Sequence, residues 1–394
     1  MSDRVAVVGV GYSDVGRDTG LSYKQLTAQA AKAAMDDAGM TNHDIDGVVV
    51  KAFGEPEPWG EPADAAMTDR IAAHMLGITP ARYFANPVSN FGDLMQNAIA
   101  AVASGASHTC IVLHPCRTMK RKGKPAAGGG YGGGGGGGFG GIPGDYQFVM
   151  PYGAPGPGIV AGLTMQRHMQ VYGTTEEQFA LQQVAQRDHA RLNERALLRD
   201  PLTVDEYLAS RFVSRPVRLL DCDYPCDSST AVILTTEERA ASWAKKPVYI
   251  ESSSAAAIDT TWEYLDDILD TAVQRASDRL WQQTSLTPAD VDVAELYDGF
   301  SMINFTWMEG LGFCKPGESG PFVAEGNTRL GGSLPINTDG GVCNIGRHHG
   351  GSHCVEAVQQ IRGECGVRQV EGAEVSVFTV ANGPHCFAAL LSAA

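Results

Sequence analysis

The chain has 394 residues, of which 43% are hydrophobic and 19% charged, a globular composition that excludes a disordered chain and a coiled coil. Its formal net charge of −15 argues against nucleic acid as a partner, because binding phosphates requires clustered Lys and Arg. No apolar run approaches the roughly 20 residues of a membrane span, and the N-terminus lacks the pattern of a signal peptide.

The cysteines predict the redox compartment. Nine of them are scattered without the spacing of a disulfide framework. This odd number, with no export signal, predicts reduced thiols and a cytoplasmic protein. Cys222 and Cys226 are close in sequence, but no second pair with zinc-site spacing accompanies them, so the pattern favours structural cysteines over a metal site.

The first fifty residues predict a strand, a helix and a second strand. Residues 5–10 form a β-rich apolar run, and residues 22–35 have helical spacing, with Ser22 as N-cap and Gly39 just past the end. Residues 44–50 then predict another buried strand. Short connections and nearly continuous apolar strands predict parallel pairing with helices on both faces of the sheet.

A second cycle follows and is then interrupted. Residues 92–104 predict a helix and residues 109–113 a strand. Between about 117 and 218 the alternation is lost, although helical patterns occur at 162–172 and 175–196. This stretch is therefore predicted to be a large insertion.

Two tracts in the insertion have an unusual composition. The basic run at 117–124 is either a solvated loop or a landing site for an anionic group such as a nucleotide phosphate. The glycine-rich tract at 128–141 is typical of a mobile loop. A phosphate-binding loop would require a strand before it and a helix directly after it, and neither is evident.

The alternation resumes at 231–234 and repeats to the end of the chain. Two comparable halves, 1–245 with an inserted loop region at about 117–218 and 246–394, predict a pseudo-duplicated, layered α/β fold. The elements predicted in the second half are strands at 248–251, 291–296, 375–380 and 387–391, and helices at 265–282, up to Met308, and at 352–362.

The segment 294–300, AELYDGF, is the most distinctive stretch. It resembles the HDCF signature of sterol-carrier-protein-type thiolases, with Tyr297 at the histidine position and Gly299 at the cysteine position. A tyrosine hydroxyl can donate or accept a proton, but it cannot replace a thiolate as an acyl carrier.

Three further segments carry the same resemblance. Residues 164–180, 214–240 and 337–353 resemble the loop-domain helix, the closing segment of the first half and the C-terminal active-site loop of that branch. The chain thus resembles the thiolase superfamily over essentially its whole length. The resemblance implies the thiolase fold, with two pseudo-duplicated βαβαβαββ halves in a five-layered αβαβα arrangement and an inserted loop domain.

The residues at the family's reactive positions are altered. The nucleophilic cysteine corresponds to Ser89, which we expect to be a helix N-cap or a substrate-contacting hydroxyl rather than an acyl carrier. The histidine of the family's GHP triplet corresponds to Arg347, and its second cysteine corresponds to Ala381. Thiolysis and Claisen condensation require a thiolate, so neither reaction is expected.

The substituting residues leave alternatives open. Arg347 either stabilises an oxyanion or forms a salt bridge with a nearby acid. Of the adjacent His348 and His349, one is expected to face the pocket and the other to be structural, and both are candidate site residues. His385 is directed into the site or exposed at the surface, whereas Asp298 is expected to support Tyr297 and is grouped with the substrate-binding residues.

The resemblance is greatest to a branch without the catalytic cysteines, the bacterial steroid side-chain aldolases. It implies retro-aldol cleavage of a β-hydroxyacyl-CoA side chain of a steroid or bile acid, giving a ring ketone and a short acyl-CoA such as propionyl-CoA. Tyr297 would act as general acid/base, while Arg347 and His348 would hold the thioester oxygen. The alternatives are a catalytically inactive acyl-CoA-binding subunit and a thiolase-type acyltransferase.

The same resemblance implies partners. We expect a homodimer that pairs through a first-half strand, together with a small protein built from an OB-fold and a zinc ribbon. CoA would arrive with the substrate, so the chain itself is predicted to hold no cofactor, and zinc is expected only in the partner.

Overall fold

The computed structural model describes residues 4–52, 67–79, 81–87, 90–116, 150–153, 156–258, 262 and 265–393. Ser89, the basic run at 117–124 and the glycine tract at 128–141 lie outside the described residues, so the expectations for them stay predictions. Among the helices of the described part, none combines the length and apolarity that crossing a bilayer requires.

The described part forms a mixed α/β structure. Its strands are β1 Val5–Tyr12, β2 Gly47–Val50, β3 Tyr83–Ala85, β4 Thr109–Cys116, β5 Phe212–Ser214, β6 Val217–Arg218, β7 Ser228–Thr236, β8 Val248–Ala257, β9 Val293–Glu295, β10 Val375–Asn382 and β11 His385–Ser392. Its α-helices are α1 Tyr23–Ala38, α2 Asp69–Leu76, α3 Phe91–Ala103, α4 Pro157–Tyr172, α5 Glu176–Arg191, α6 Val204–Ala209, α7 Glu237–Ala240, α8 Ala272–Gln282, α9 Ser301–Gly310, α10 Ser319–Ala324, α11 Val342–Ile345 and α12 Gly351–Arg362.

The strand order is repeated in the two halves. In the first half the order is β3-β2-β4-β7-β1, and in the second half β9-β10-β11-β8. A parallel bridge between Ala294 and Ile336 extends the second half beyond β9, at the place where β3 extends the first half beyond β2. The halves meet through antiparallel pairing of β1 with β8, each the first strand of its half.

The prediction of parallel pairing is wrong for most of the sheet. Only β2–β3, β2–β4 and β9–β10 are parallel, whereas β7 and β11 run antiparallel to both of their neighbours. All nine residues of β7 are buried. A continuous apolar run therefore indicates that a strand is buried on both faces. Helices that cover both faces of the sheet cause this burial for parallel and antiparallel strands alike.

The layers follow from the cores. Side chains of α3 and α12 share one hydrophobic core with strands of both halves, so these two helices form the central layer. Helices α1 and α2 pack on the outer face of the first-half strands, and α8 and α9 on the outer face of the second-half strands. This confirms the five-layered αβαβα arrangement.

Capping residues set the ends of these helices. The Ser22 side chain caps α1 and accepts a hydrogen bond from the backbone N–H of Gln25, and Gly39 ends the helix in the left-handed conformation. The helix predicted at 265–282 begins only at Ala272, because the Thr271 side chain accepts from the backbone N–H of Val273 and sets the start there.

Candidate active site

Tyr297 follows the short strand β9, and two hydrogen bonds fix its backbone. Its N–H donates to Thr379 Oγ1 at 2.8 Å, and its carbonyl accepts from Asn304 Nδ2 at 3.2 Å. The half-buried ring lies over Gly299, where an added Cβ would be only 2.7 Å from the Tyr297 hydroxyl oxygen. The tyrosine in this position therefore requires glycine two residues later.

Arg347 forms a bidentate ion pair with Asp223. Its Nε lies 2.6 Å from Asp223 Oδ2 and its Nη2 lies 2.7 Å from Asp223 Oδ1. Burial by itself lowers the pKa of Arg347, but Asp223, with Tyr297 and Cys116 nearby, outweighs burial and raises that pKa above its ordinary value. The salt-bridge alternative is thus present, although the pair uses only two of the five N–H groups of the guanidinium.

Backbone hydrogen bonds join the segments that carry these side chains. The N–H of Asp223 donates to the carbonyl of Gly299 at 3.1 Å, and the N–H of Arg347 donates to the carbonyl of Tyr224 at 2.8 Å. The loop before β7 therefore lies between the Tyr297 segment and the Arg347 segment and is hydrogen-bonded to both.

The structure separates the two adjacent histidines. His349 has a left-handed φ of 48°, and its ring meets the ring of His114 with centroids 5.9 Å apart. The ring of His348 instead packs edge-on against Tyr12 on β1, with Nδ1 3.1 Å from Thr230 Oγ1 on β7. His349 thus faces the group that contains Arg347, and we correct the prediction that His348 holds the thioester oxygen.

Burial keeps both histidines neutral. Desolvation lowers the pKa of His348 to about 3, and the charge of Arg195 adds to this shift. Desolvation, followed by the positive charges of Lys51 and Arg347, holds the pKa of His349 well below its ordinary value.

Asp298 is fully buried and its carboxylate has four hydrogen-bond partners. Its Oδ1 accepts from the N–H of Val342 at 2.9 Å and lies 2.9 Å from His353 Nε2, while its Oδ2 accepts from Gln186 Nε2 and the N–H of Cys343. These bonds anchor the start of α11. We therefore correct its grouping as a substrate-binding residue, because it positions the site without facing a substrate.

The other two predicted residues are also placed differently. His385 opens β11 opposite Asn382 with its side chain exposed, which is the surface alternative. Asn90, not Ser89, is the N-cap of α3, since its Oδ1 accepts from the N–H groups of Gly92 and Asp93. Ser89 itself lies outside the described residues, so the role expected for it stays a prediction.

Sequence reasoning missed three residues of this group. Lys51 follows β2, and His114 and Cys116 lie near the end of β4. Because β2 and β4 are parallel, their carboxyl ends meet at one edge, where α/β folds place their sites. A lysine and a histidine at the ends of two apolar strands were the sequence signal that could have identified this part of the site.

Electrostatics link these residues to Arg347. Burial lowers the pKa of Lys51, and the positive charge of Arg347 lowers it further, whereas Cys116 raises it. Burial also raises the pKa of Cys116 to about 11 and that of Cys226 to about 12. Both of these thiols are consequently protonated at neutral pH, so neither is a ready nucleophile.

Comparison with known proteins places the chain in a family. Residues 255–390 match the thiolase C-terminal domain-like family. The 17-hydroxy-3-oxo-4-pregnene-20-carboxyl-CoA lyase of Mycobacterium tuberculosis is 30% identical over 97% of both chains. The acetyl-CoA acetyltransferase of Methanothermobacter thermautotrophicus is 32% identical over 95% of this chain and 94% of its own length.

A solved structure extends the comparison to the fold. The Ltp2-ChsH2(DUF35) aldolase superimposes with a TM-score of 0.86 at 27% identity, over 99% of this chain and 98% of that chain. These similarities extend over nearly the whole length of the chain. The chain belongs to the thiolase superfamily.

Proposed function

We propose that this chain is a retro-aldol carbon–carbon lyase acting on the β-hydroxyacyl-CoA side chain of a steroid or bile acid. The products would be a ring ketone and a short acyl-CoA such as propionyl-CoA. The observation that carries the proposal is the Tyr297 hydroxyl, which lies over Gly299 where the family signature has reactive residues and is close enough to Arg347 to raise the pKa of its guanidinium. The similarity to a steroid carboxyl-CoA lyase and to an aldolase supports it.

The reaction uses groups that this site has. Tyr297, as phenolate, takes the proton of the β-hydroxyl, the Cα–Cβ bond breaks, and its electron pair forms the enolate of the thioester. The β-carbon becomes the ketone, and Tyr297 returns its proton to the α-carbon, so no atom is gained or lost. The positive charge of Arg347 favours the phenolate and stabilises the enolate oxygen.

A thiolase-type acyltransferase is the second candidate, because one similar protein is an acetyl-CoA acetyltransferase. That chemistry requires a thiolate to carry the acyl group. The protonated thiols of Cys116 and Cys226 argue against it. Intact-protein mass spectrometry after addition of substrate should therefore detect no covalent acyl adduct, whereas an adduct on any residue would favour the acyltransferase.

A product assay tests the proposed activity directly. The chain, alone and with proteins encoded by neighbouring genes, is incubated with a panel of β-hydroxyacyl-CoA thioesters, and products are identified by liquid chromatography and mass spectrometry. A retro-aldolase releases a short acyl-CoA and a ketone in equal amounts without added free CoA. An inactive acyl-CoA-binding subunit releases neither, and that outcome would reject the proposal.

We further propose that the chain works in the cytoplasm as a homodimer with a small OB-fold/zinc-ribbon protein. The similarity to an aldolase described with two components supports a partner subunit. All nine cysteines are free, as a reducing compartment favours. The chain would need no cofactor of its own, and zinc would belong to the partner. Mass photometry tests the assembly, and full activity of the isolated chain, unchanged by that protein, would contradict the need for a partner.

A further inference from the structure

His114 has a buried ring nitrogen without a hydrogen-bond partner in the part of the chain that the structure describes. The side chain is 1% exposed, and its Nδ1 lies 3.5 Å from Cys116 Sγ. Its Nε2 is buried as well, yet no atom of the described residues forms a hydrogen bond with it. Burying such an atom without a partner is unfavourable. At the edge of a candidate active site, a bound ligand is the partner that this nitrogen fits.

The position of His114 places this nitrogen in the candidate site. Its ring packs edge-on against Phe91, the first residue of α3, at 5.7 Å between centroids, and against His349 at 5.9 Å. The charge of Lys51 acts on His114, and Arg347 acts on both Lys51 and His349. The imidazole is therefore part of the group that surrounds Arg347.

The contact with Cys116 favours one of the two neutral tautomers of His114. Burial, reinforced by the charge of Lys51, holds the pKa of His114 well below its ordinary value, so the ring is neutral. Burial also raises the pKa of Cys116 to about 11, so that residue is a thiol and its S–H can donate to Nδ1. In the tautomer in which Cys116 donates to Nδ1, the single ring proton lies on Nε2, which is then a donor without an acceptor among the described residues.

We propose that His114 is a further catalytic residue, whose Nε2–H donates a hydrogen bond to the thioester oxygen as that oxygen becomes an enolate. This inference rests on the proposed retro-aldol function. His114 keeps its proton throughout, while Tyr297 moves the proton of the reaction. A neutral imidazole in a low-dielectric site suits this role, since it polarises a carbonyl without being consumed as an acid.

Two substitutions distinguish a hydrogen-bond donor role of His114 from a role as a base. His114→Leu removes the N–H, whereas His114→Gln offers an amide N–H and has no basic nitrogen. Turnover should fall about 100- to 1,000-fold in the leucine variant, as for loss of an oxyanion donor, with KM changed much less. The glutamine variant should stay within about tenfold of the wild type. If it is as slow as the leucine variant, the donor role is wrong.

Thermal unfolding gives a second, independent readout. Because none of the described residues pairs with Nε2, His114→Leu should leave the melting temperature unchanged or raise it. His168 is the matched control, since it is equally buried but its Nε2 lies 3.0 Å from Glu309 and its Nδ1 lies 2.9 Å from Thr174 Oγ1. His168→Leu should lower the melting temperature. A similar drop for His114→Leu with normal turnover would show that His114 is structural.

Nitrogen-15 NMR distinguishes this inference from the proposed function. The ring resonances of His114 should show a proton on Nε2 in the free protein, and this signal should shift when propionyl-CoA is added. A wild-type protein that cleaves no β-hydroxyacyl-CoA but shows the shift would reject the lyase and retain the donor. A wild-type protein that cleaves substrate but carries the proton on Nδ1 would retain the lyase and reject the donor.

Discussion

Tyr297 and Gly299 form one functional unit. The two residues depart together from the family signature, and the structure gives the reason. A Cβ at position 299 would lie 2.7 Å from the Tyr297 hydroxyl oxygen and 2.9 Å from the ring atoms Cε1 and Cζ. A large ring at 297 and a side chain at 299 therefore exclude each other, because these contacts are shorter than van der Waals distance.

Tyr297→Phe should lower turnover about 100- to 10,000-fold, because the ring is kept and only the proton-transferring hydroxyl is lost. KM should change much less, since the packing over Gly299 is preserved. Steady-state kinetics of the product assay measure both quantities. Near-normal turnover would mean that another group, such as His349, moves the proton.

Gly299→Ala should also slow the enzyme by displacing the ring. Its effect should be strongly non-additive with that of Tyr297→Phe, because both changes act through the same hydroxyl. We expect Gly299→Ala alone to lower turnover at least about tenfold, and the double variant to be nearly as active as Tyr297→Phe. Losses that multiply in the double variant would show that the two positions act separately.

At the scale of elements, the ion pair between Asp223 and Arg347 joins two loops far apart in sequence. Asp223 belongs to the loop before β7 and Arg347 to the turn before α12. The side chain of Asp223 is 10% exposed and that of Arg347 is 24% exposed. A pair this well shielded from water fixes the direction of the arginine, as its proposed contact with a substrate oxygen requires.

Asp223→Ala should destabilise the protein by roughly 2 kcal/mol, because it leaves a mostly buried cation without its partner; the residual exposure reduces the larger cost of a fully buried pair. Urea unfolding measures the loss. The matched control is Asp223→Ala combined with Arg347→Met, which removes the stranded charge and should recover most of the stability. A double variant less stable than the single one would contradict this account.

For the molecule as a whole, buried neutral histidines make the fold sensitive to acid. The pKa of His348 is about 3 in the folded chain against about 6.5 when unfolded. Between these values only the unfolded chain takes up the proton. The contribution of this residue to stability is therefore complete above about pH 6.5 and is lost progressively as the pH falls towards 3.

The stability advantage of the wild type over His348→Asn should accordingly shrink as the pH is lowered from 6.5 to 4, by on the order of 1.4 kcal/mol per pH unit. Taking the difference between variants removes the opposite effect of buried carboxyl groups such as Asp221, whose pKa burial raises to about 6. Chemical denaturation at several pH values measures this difference. The exposed His385→Asn serves as control, and an equal slope for both variants would reject the explanation.

Local sequence patterns predicted much of the fold because their causes are local. Ser22 and Gly39 bracket α1 through hydrogen bonds within a few residues, and apolar periodicity identified the core strands. Strand direction was not predictable in this way, since β7 and β11 are buried along nearly their whole length, as the parallel strands β2 and β4 are. The position of Asn90 as the cap of α3 was missed because Ser89 is an equally good capping residue.

The sequence by itself determined the layered fold, the tyrosine at 297 and the absence of cysteine at the family's reactive positions, because residue types and their order do not depend on distant contacts. Only the tertiary structure decided that His349 and not His348 faces Arg347, because a left-handed φ of 48° separates two neighbouring side chains. It also decided that Asp223, 124 residues away, pairs with Arg347. The same long-range packing brings Lys51 and His114 to one edge, since parallel strands from separate segments end there.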